Sequence, residues 1–372
     1  MQAIDMITID GYKSIRHMDL KLRPLNILIG ANGAGKSNFI SVFRFIKELV
    51  SGNLDFHVAK SGGSETFLHF GRKLTEELKV NISFIPKPNH IHTYAWTLIP
   101  TRDDKFVIMV EETSFNNQGQ NKNSSNIRFE SVKRETQINE TAEMPYQTIP
   151  HYIREVINEW RIYHFHDTSE SAKIKQLGDI NDNQFLRSDG SNLAAYLYRV
   201  RQTKPTYYQN IVGTIRLMAP FFDDVNLRLD PLSNQKIRLE WNERNTDAYF
   251  DAHALSDGTL RFMCLATLLL QPPDMLPTTI FLDEPELGLH PYAISLLASM
   301  LQSAAEHTQI IVSTQSVTLV NQFSTEEIIV VEREDGQSVF HHLSEDKIET
   351  WLEDYGLGDL WEKNVIGGRP TR

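Results

Sequence analysis

Apolar and polar positions alternate from the start of the chain. "AIDMITID" (3–10) and "HMDLKL" (17–22) read as strands with one buried face, and "LNILIG" (25–30) is apolar almost throughout, as a central strand is. A Gly-rich loop follows, then apolar residues at helical spacing to about Val50, closed by Ser51-Gly52. Between 78 and 132 come four β-type runs, "LKVNISFIP", "HTYAWTLIP", "KFVIMVEETSF" and "NIRFESV". The polar stretch 116–126, "NNQGQNKNSSN", reads as an exposed loop between the last two. A helix is predicted at 150–160, a strand in "WRIYHFHD" (160–167), and helix over 191–220 with Ser191 as cap. Strands follow at 226–231 and 236–242.

The final third alternates: helix 260–270, strand 278–284, helix 291–305, then strands 309–315, 326–335 and 338–343. A helix at 345–354 precedes a Gly-rich tail, "GLGDLWEKNVIGGRP". Strands interleaved with helices at both ends predict an α/β fold whose main sheet is largely parallel and covered on both faces. The β-rich and helical middle then reads as insertions into one discontinuous domain: core 1–64 and 225–343, antiparallel β insertion 65–135, helical lobe 150–224, and C-terminal helix and tail 344–372. No repeat and no sustained heptad is present, so no long coiled coil is expected.

Composition narrows the class without naming a function. Hydrophobic content of 41% and charged content of 23% are those of a soluble globular chain of 372 residues. No apolar run is long enough to span a bilayer, and the opening residues lack the apolar core of a signal peptide. One cysteine, Cys264, excludes a disulfide framework, so a cytoplasmic setting is expected. A net charge of −11 argues against a general basic coat for nucleic acid.

"GANGAGKS" (30–37) fits G-x-x-x-x-G-K-[ST] between an apolar strand and a helix. Gly33 and Gly35 let backbone amides turn toward phosphate oxygens, with Asn32, Ala34 and Asn38 in the same wrap. Lys36 is the residue to reach the outer phosphates of ATP, and Ser37 the hydroxyl to ligate Mg2+. "TTIFLDEPELGLHP" (278–291) runs from an apolar strand into two carboxylates. Beside a phosphate loop, Asp283 is the expected Mg2+ partner and Glu284 the base that polarises the attacking water. "ALSDGTLRF" (254–262) puts Ser256, Asp257 and Gly258 at the mouth of an apolar helix, where Ser and Asp serve as caps.

In this order the three motifs resemble ATP-binding-cassette ATPases, and specifically the RecF/SMC-like branch with single-chain ATPases related to OLD-type proteins. "MITIDGYKSIRHMDLKLRPLNILIGANGAGKSNFI" resembles that family's first block, "LSDGTLRF" its signature and "DEPELGLHP" its acidic block. "STQS" (313–316) resembles its switch, and the "GLGDLW…IGGRP" tail is similar to relatives. The resemblance implies a cassette-type head in which Ser256, Asp257 and Gly258 bind the γ-phosphate held by the other subunit. ATP would then join a head-to-tail dimer or higher oligomer. It also implies a separately encoded effector protein, DNA as a further partner, and a role in phage defence.

The chain departs from transporter cassettes at Gln315, where His is common, and at His290, where Asp is common. An amide bonds phosphate or water but does not titrate near neutral pH, so slow hydrolysis is expected. RecF-like DNA repair and a weakly hydrolysing scaffold or sensor stand as alternatives. An OLD-type nuclease is not expected here, because 317–372 holds no Asp-x-Asp. Two segments stay open. "HFHD" (His164, His166, Asp167) is either a polar strand end or the place where cassettes carry a Mg2+-touching Gln. "AKSGGSETF" offers Lys60 either to phosphate or DNA, or simply to solvent.

Overall fold

The structure, a computed structural model, describes residues 3–87, 90–117, 125–129, 132–139, 148–344, 349–352 and 354–368. Most of the expected 116–126 loop and the first part of the expected 345–354 helix lie outside the described residues.

The chain opens with the hairpin β1 (Ala3–Tyr12) and β2 (Ile15–Lys21), then β3 (Leu25–Ile29), α1 (Lys36–Val50) and α2 (Leu54–Lys60). Next come β4 (Leu78–Lys87), β5 (His90–Pro100), β6 (Phe106–Asn117), β7 (Ser125–Phe129), α3 (Ile149–Asn158) and β8 (Arg161–Tyr163). The middle holds β9 (Gly178–Asp179), α4 (Leu193–Thr203), α5 (Pro205–Met218), β10 (Phe222–Asn226), β11 (Leu229–Asp230), β12 (Ser233–Ile237), β13 (Glu240–Glu243) and β14 (Tyr249–Asp251). The last part runs α6 (Asp257–Leu269), β15 (Thr279–Asp283), α7 (Pro291–Ala305), β16 (Gln309–Thr314), α8 (Val317–Val320), β17 (Ile328–Glu334), β18 (Gln337–His342), α9 (Glu349–Leu352) and α10 (Leu357–Glu362).

The main sheet has the order β18-β17-β3-β16-β15-β8, parallel except for β18. The central strands β3, β16 and β15 and the first half of β17 are largely apolar because alternate residues enter two different cores. Ile27, Ile29, Ile310, Val312, Ile280 and Leu282 face one core with α4 to α8 and α10. Leu28, Ile311, Phe281, Ile329 and Val331 face the other, under α1 and α3. A second six-stranded sheet, wholly antiparallel, has the order β2-β1-β4-β5-β6-β7. α1 is clamped between the sheets: Phe43 packs on Phe281 at 4.4 Å between ring centroids, while Phe45 packs on Trp96 and Phe106. Burying both flanks of one helix fixes the phosphate loop at its start relative to both sheets.

Several expectations are corrected. β1 and β2 belong to the antiparallel sheet, since β1 pairs with β4. The expected 191–220 helix is two helices broken at Lys204, because the following Pro205 disfavours helical backbone at the residue before it. Its cap position is Asn192 rather than Ser191, whose own N–H donates to Asp189. The strands expected at 226–231 and 236–242 resolve into the four short strands β10 to β13. β8 ends at Tyr163, before the two histidines. The Gly-rich tail holds α10, with Leu357, Leu360 and Trp361 buried and Gly368 against Gly30.

Candidate functional site

Four adjacent parallel strands, β3, β16, β15 and β8, end on one edge, and their register decides what meets there. Ile29 pairs with Thr314, Ser313 with Asp283, and Leu282 with Tyr163. The loop 30–37 therefore leaves β3 beside Asp283 at the end of β15 and the residues that follow the neighbouring strands, Gln315 after β16, Glu284 after β15 and His164 after β8. Ligands of open α/β sheets bind at this carboxyl edge.

The loop is built tightly on one side and open on the other. At Gly35 a Cβ would overlap Ser338 Oγ, which itself donates to the Ala34 carbonyl. At Gly33 (φ 80) nothing lies within 4 Å of where a Cβ would stand, so glycine is needed there for backbone conformation alone. Asn32, Gly33 and Ser37 are exposed, Ala34 is buried, and the Asn38 amide donates to Ser14 Oγ at 2.7 Å. No side chain caps the first turn of α1, which leaves its leading amides to an outside acceptor. Lys36 is buried, its ammonium donating to the Gly30 carbonyl at 2.6 Å and the Ala31 carbonyl at 3.1 Å. Burial pushes its pKa down, opposed by the charges of Glu284, Asp283 and Glu286.

On the facing side, the Ser313 hydroxyl donates to Asp283 Oδ1, and the Gln315 amide donates to Glu284 Oε1. Glu284 has φ 45, left-handed backbone that a non-glycine residue adopts at a cost of about 1–3 kcal/mol. Its N–H donates to the Ser313 carbonyl at 2.9 Å, which holds the bend.

Glu286 is a residue the motif reading quoted but gave no role. It is buried; Oε1 accepts from Thr314 Oγ1 at 2.5 Å and from the Gln315 N–H at 3.2 Å, while Oε2 has no partner. Its carboxylate thus sets the backbone from which Gln315 projects. Burial raises its pKa, with hydrogen bonds from Thr314 and backbone acting the other way and Glu284 adding to the rise. A raised folded pKa stabilises the fold fully below the ordinary value of 4.5 and is lost as pH climbs through the folded pKa. Glu286→Gln keeps the acceptor and removes the titration. Relative to this variant, the unaltered chain should lose stability as pH rises from about 4 to 7.5. Urea unfolding of both at several pH values checks this; a constant difference rejects it.

Ser256 is the N-cap of α6, its Oγ accepting from the Thr259 N–H at 3.1 Å. Ser256 and Asp257 are exposed, and no bond of the described residues ties either to the loop 30–37. Gly258 packs under the acidic loop, where a Cβ would come 2.6 Å from the Gly288 carbonyl. Arg261, also without an assigned role in the motif reading, donates to the carbonyls of Phe165 (3.1 Å), His166 (3.0 Å) and Leu287 (2.8 Å). One guanidinium thereby joins the signature helix, the histidine segment and the acidic loop. Arg at the second turn of a capped helix was the available signal, but its three acceptors are backbone atoms of distant segments.

His164 accepts from Arg44, and its ring lies 6.3 Å from that of His166. Asp167 turns away to cap Ser169. Among the described residues no group of three or more His, Cys, Asp or Glu is placed to hold a metal. Lys60 is exposed at the end of α2, and the Gly63 that follows packs on Asp104, away from the loop 30–37.

A Gly-rich loop at a helix start, an acid pair and a capped helix mouth stand together on a two-sheet α/β frame of the SMC-head type. Residues 25–321 match the family described as "AAA domain, putative AbiEii toxin, Type IV TA system", and the chain belongs to that family. It is 30% identical over 159 residues to a Methanosarcina acetivorans protein named "Putative ABC transporter ATP-binding protein"; the match spans 41% of this chain and 53% of that relative. The fold is similar to an SMC head solved with the C-winged helix domain of ScpA: TM-score 0.61, 16% identity, covering 93% of this chain and 99% of that one. A Pyrococcus furiosus Smc head with an extended coiled coil, bound to the C-terminal domain of ScpA, is similar too, at TM-score 0.56, 15% identity, and 95% and 99% coverage. No helix among the described residues is long and apolar enough to cross a membrane.

Proposed function

We propose that this ATPase is Mg2+-dependent and works as a head-to-tail dimer, its closure on ATP controlling a separately encoded effector. The observation that carries the reading is the exposure of Ser256 and Asp257 on a helix mouth without bonds to the chain's own phosphate loop. Exposed Leu287 and Tyr292 on the adjoining acidic loop and α7 give such an interface apolar area. In this reading Lys36 and the amides from Asn32 to Asn38 hold the phosphates. Ser37 and Asp283 form a hard-oxygen set that suits Mg2+, which supplies charge neutralisation at the phosphates. Glu284 takes the proton of the lytic water, and Gln315 orients it.

The division into core, β insertion, helical lobe and tail belongs to the same proposal, as do a cytoplasmic location and the relation to OLD-type ATPases. The toxin of a toxin–antitoxin system in the family description supports phage defence over RecF-like repair. The Gln315 amide on Glu284 favours slow turnover, hence a second reading as a nucleotide-dependent sensor, because it occupies a carboxylate oxygen that would otherwise face the lytic water.

Glu284→Gln is the test. The amide keeps the shape but cannot take a proton, so turnover should fall roughly 100-fold or more with ATP affinity kept. ATP-bound dimers should then accumulate, doubling the mass seen by light scattering. Unchanged turnover removes Glu284 from the base role, and a monomer at saturating ATP rejects the dimer.

A further inference from the structure

On the far side of β8 from the acid pair lies a cleft of about 900 Å³ between α1, the end of α3 and the segment 173–191. Five cationic side chains line it, Arg44, Lys47, Arg161, Lys173 and Arg187, in a chain whose net charge is −11. Arg187 is paired with Asp182 at 2.5 Å. Among the described residues the other four form no ion pair, although Glu48 and Asp189 stand in the same lining.

The cations are also crowded. Lys47 and Arg161 both donate to the single carbonyl of Trp160, at 2.5 and 3.0 Å. Arg44 spends a donor on the neutral nitrogen of His164 instead of a carboxylate. Burial pushes the Lys47 pKa down to about 8, with the Arg161 charge adding to the fall and Glu48 opposing it. Like charges gathered in a concave, partly desolvated space raise the local potential and favour an anion. Beside them lies a flat surface: the Phe185 ring is 45% exposed, and the Arg161 guanidinium stacks on it at 4.7 Å.

We propose that this cleft is a second anion site, separate from the phosphate loop, that binds a small phosphorylated compound of nucleotide size. Its volume lies in the range of small-molecule sites. The three carboxylates in its lining disfavour a long nucleic-acid backbone, which would carry charge past them as well as past the cations. Arg44 and Arg161 supply forked donors for phosphate oxygens, Lys47 and Lys173 point charge, and Phe185 a face for a ring. Binding here does not depend on the dimer reading of the ATP site, and the test keeps the two apart.

The probe is inorganic tripolyphosphate, titrated calorimetrically into the full chain carrying Lys36→Ala, so that the phosphate loop does not contribute. The same titration into the unaltered chain saturated with a non-hydrolysable ATP analogue guards against instability of that variant. Saturable binding is expected, weakened tenfold or more by either Arg44→Ala or Lys173→Ala, both exposed positions, and unchanged by Lys79→Ala outside the cleft. Absent binding in both titrations, or binding that neither cleft substitution weakens, overturns the site. A single-stranded dT12 that binds more tightly than tripolyphosphate, with the same dependence on Arg44 and Lys173, overturns the assignment to a small compound.

Discussion

Replacing Lys36 with Ala is expected to abolish measurable ATP binding. The ammonium is buried, so its charge acts in a low-dielectric setting, and three carboxylates face it at the strand edge. Removing one partner of a desolvated charge pair costs about 2–5 kcal/mol, or roughly 30- to 4,000-fold in affinity. The substitution also frees the Gly30 and Ala31 carbonyls, so the loop itself has to be checked. The phosphate reading is therefore tested by isothermal titration together with thermal unfolding. Lost binding with a transition within a few degrees of the unaltered chain is the expected result. Unchanged ATP affinity would remove Lys36 from the site.

Local chemistry made much of this architecture readable. α1 ends at Val50 with Ser51 beyond it, and α7 spans Pro291–Ala305, because Gly, Ser and Pro punctuate helices where they stand. The break at Lys204 was readable in principle from Pro205, but the apolar rhythm on either side outweighed it. α10 was hidden by glycines, although Leu357, Leu360 and Trp361 follow helical spacing.

What stayed out of reach is pairing at long range. Nothing local in β1 says that its partner is β4 rather than a core strand. The site divides in the same way. The loop 30–37 and the acid pair are contiguous motifs whose geometry is set by neighbouring residues. Glu286 and Arg261 take their meaning from Thr314, Phe165, His166 and Leu287, which only the folded sheet brings to them. A third carboxylate after Asp-Glu-Pro carries no signal of its own until its oxygens are seen buried, one bonded and one without a partner.

Mixing two inactive chains should restore activity. If Ser256 only caps α6, Ser256→Arg costs about 1 kcal/mol of stability and its effect stays within its own subunit. If Ser256 faces a neighbour's γ-phosphate, the arginine blocks closure while ATP still binds at Lys36. Lys36→Ala chains have an intact signature and no working phosphate loop; Ser256→Arg chains have the reverse. In a head-to-tail heterodimer one composite site joins the two intact halves, and the other site joins the two damaged ones. Each variant alone should be inactive. Heterodimers should then recover up to about half the unaltered turnover per dimer when the sites act independently, since a symmetric pair has two equivalent interfaces. Coupling between sites lowers that figure, so ATP-dependent association is followed by light scattering in the same mixtures. Heterodimers that form without turnover would indicate coupled sites. The absence of both turnover in the mixture and ATP-dependent association in the unaltered chain would reject action in trans, leaving Ser256 as the cap its bond to Thr259 already makes it.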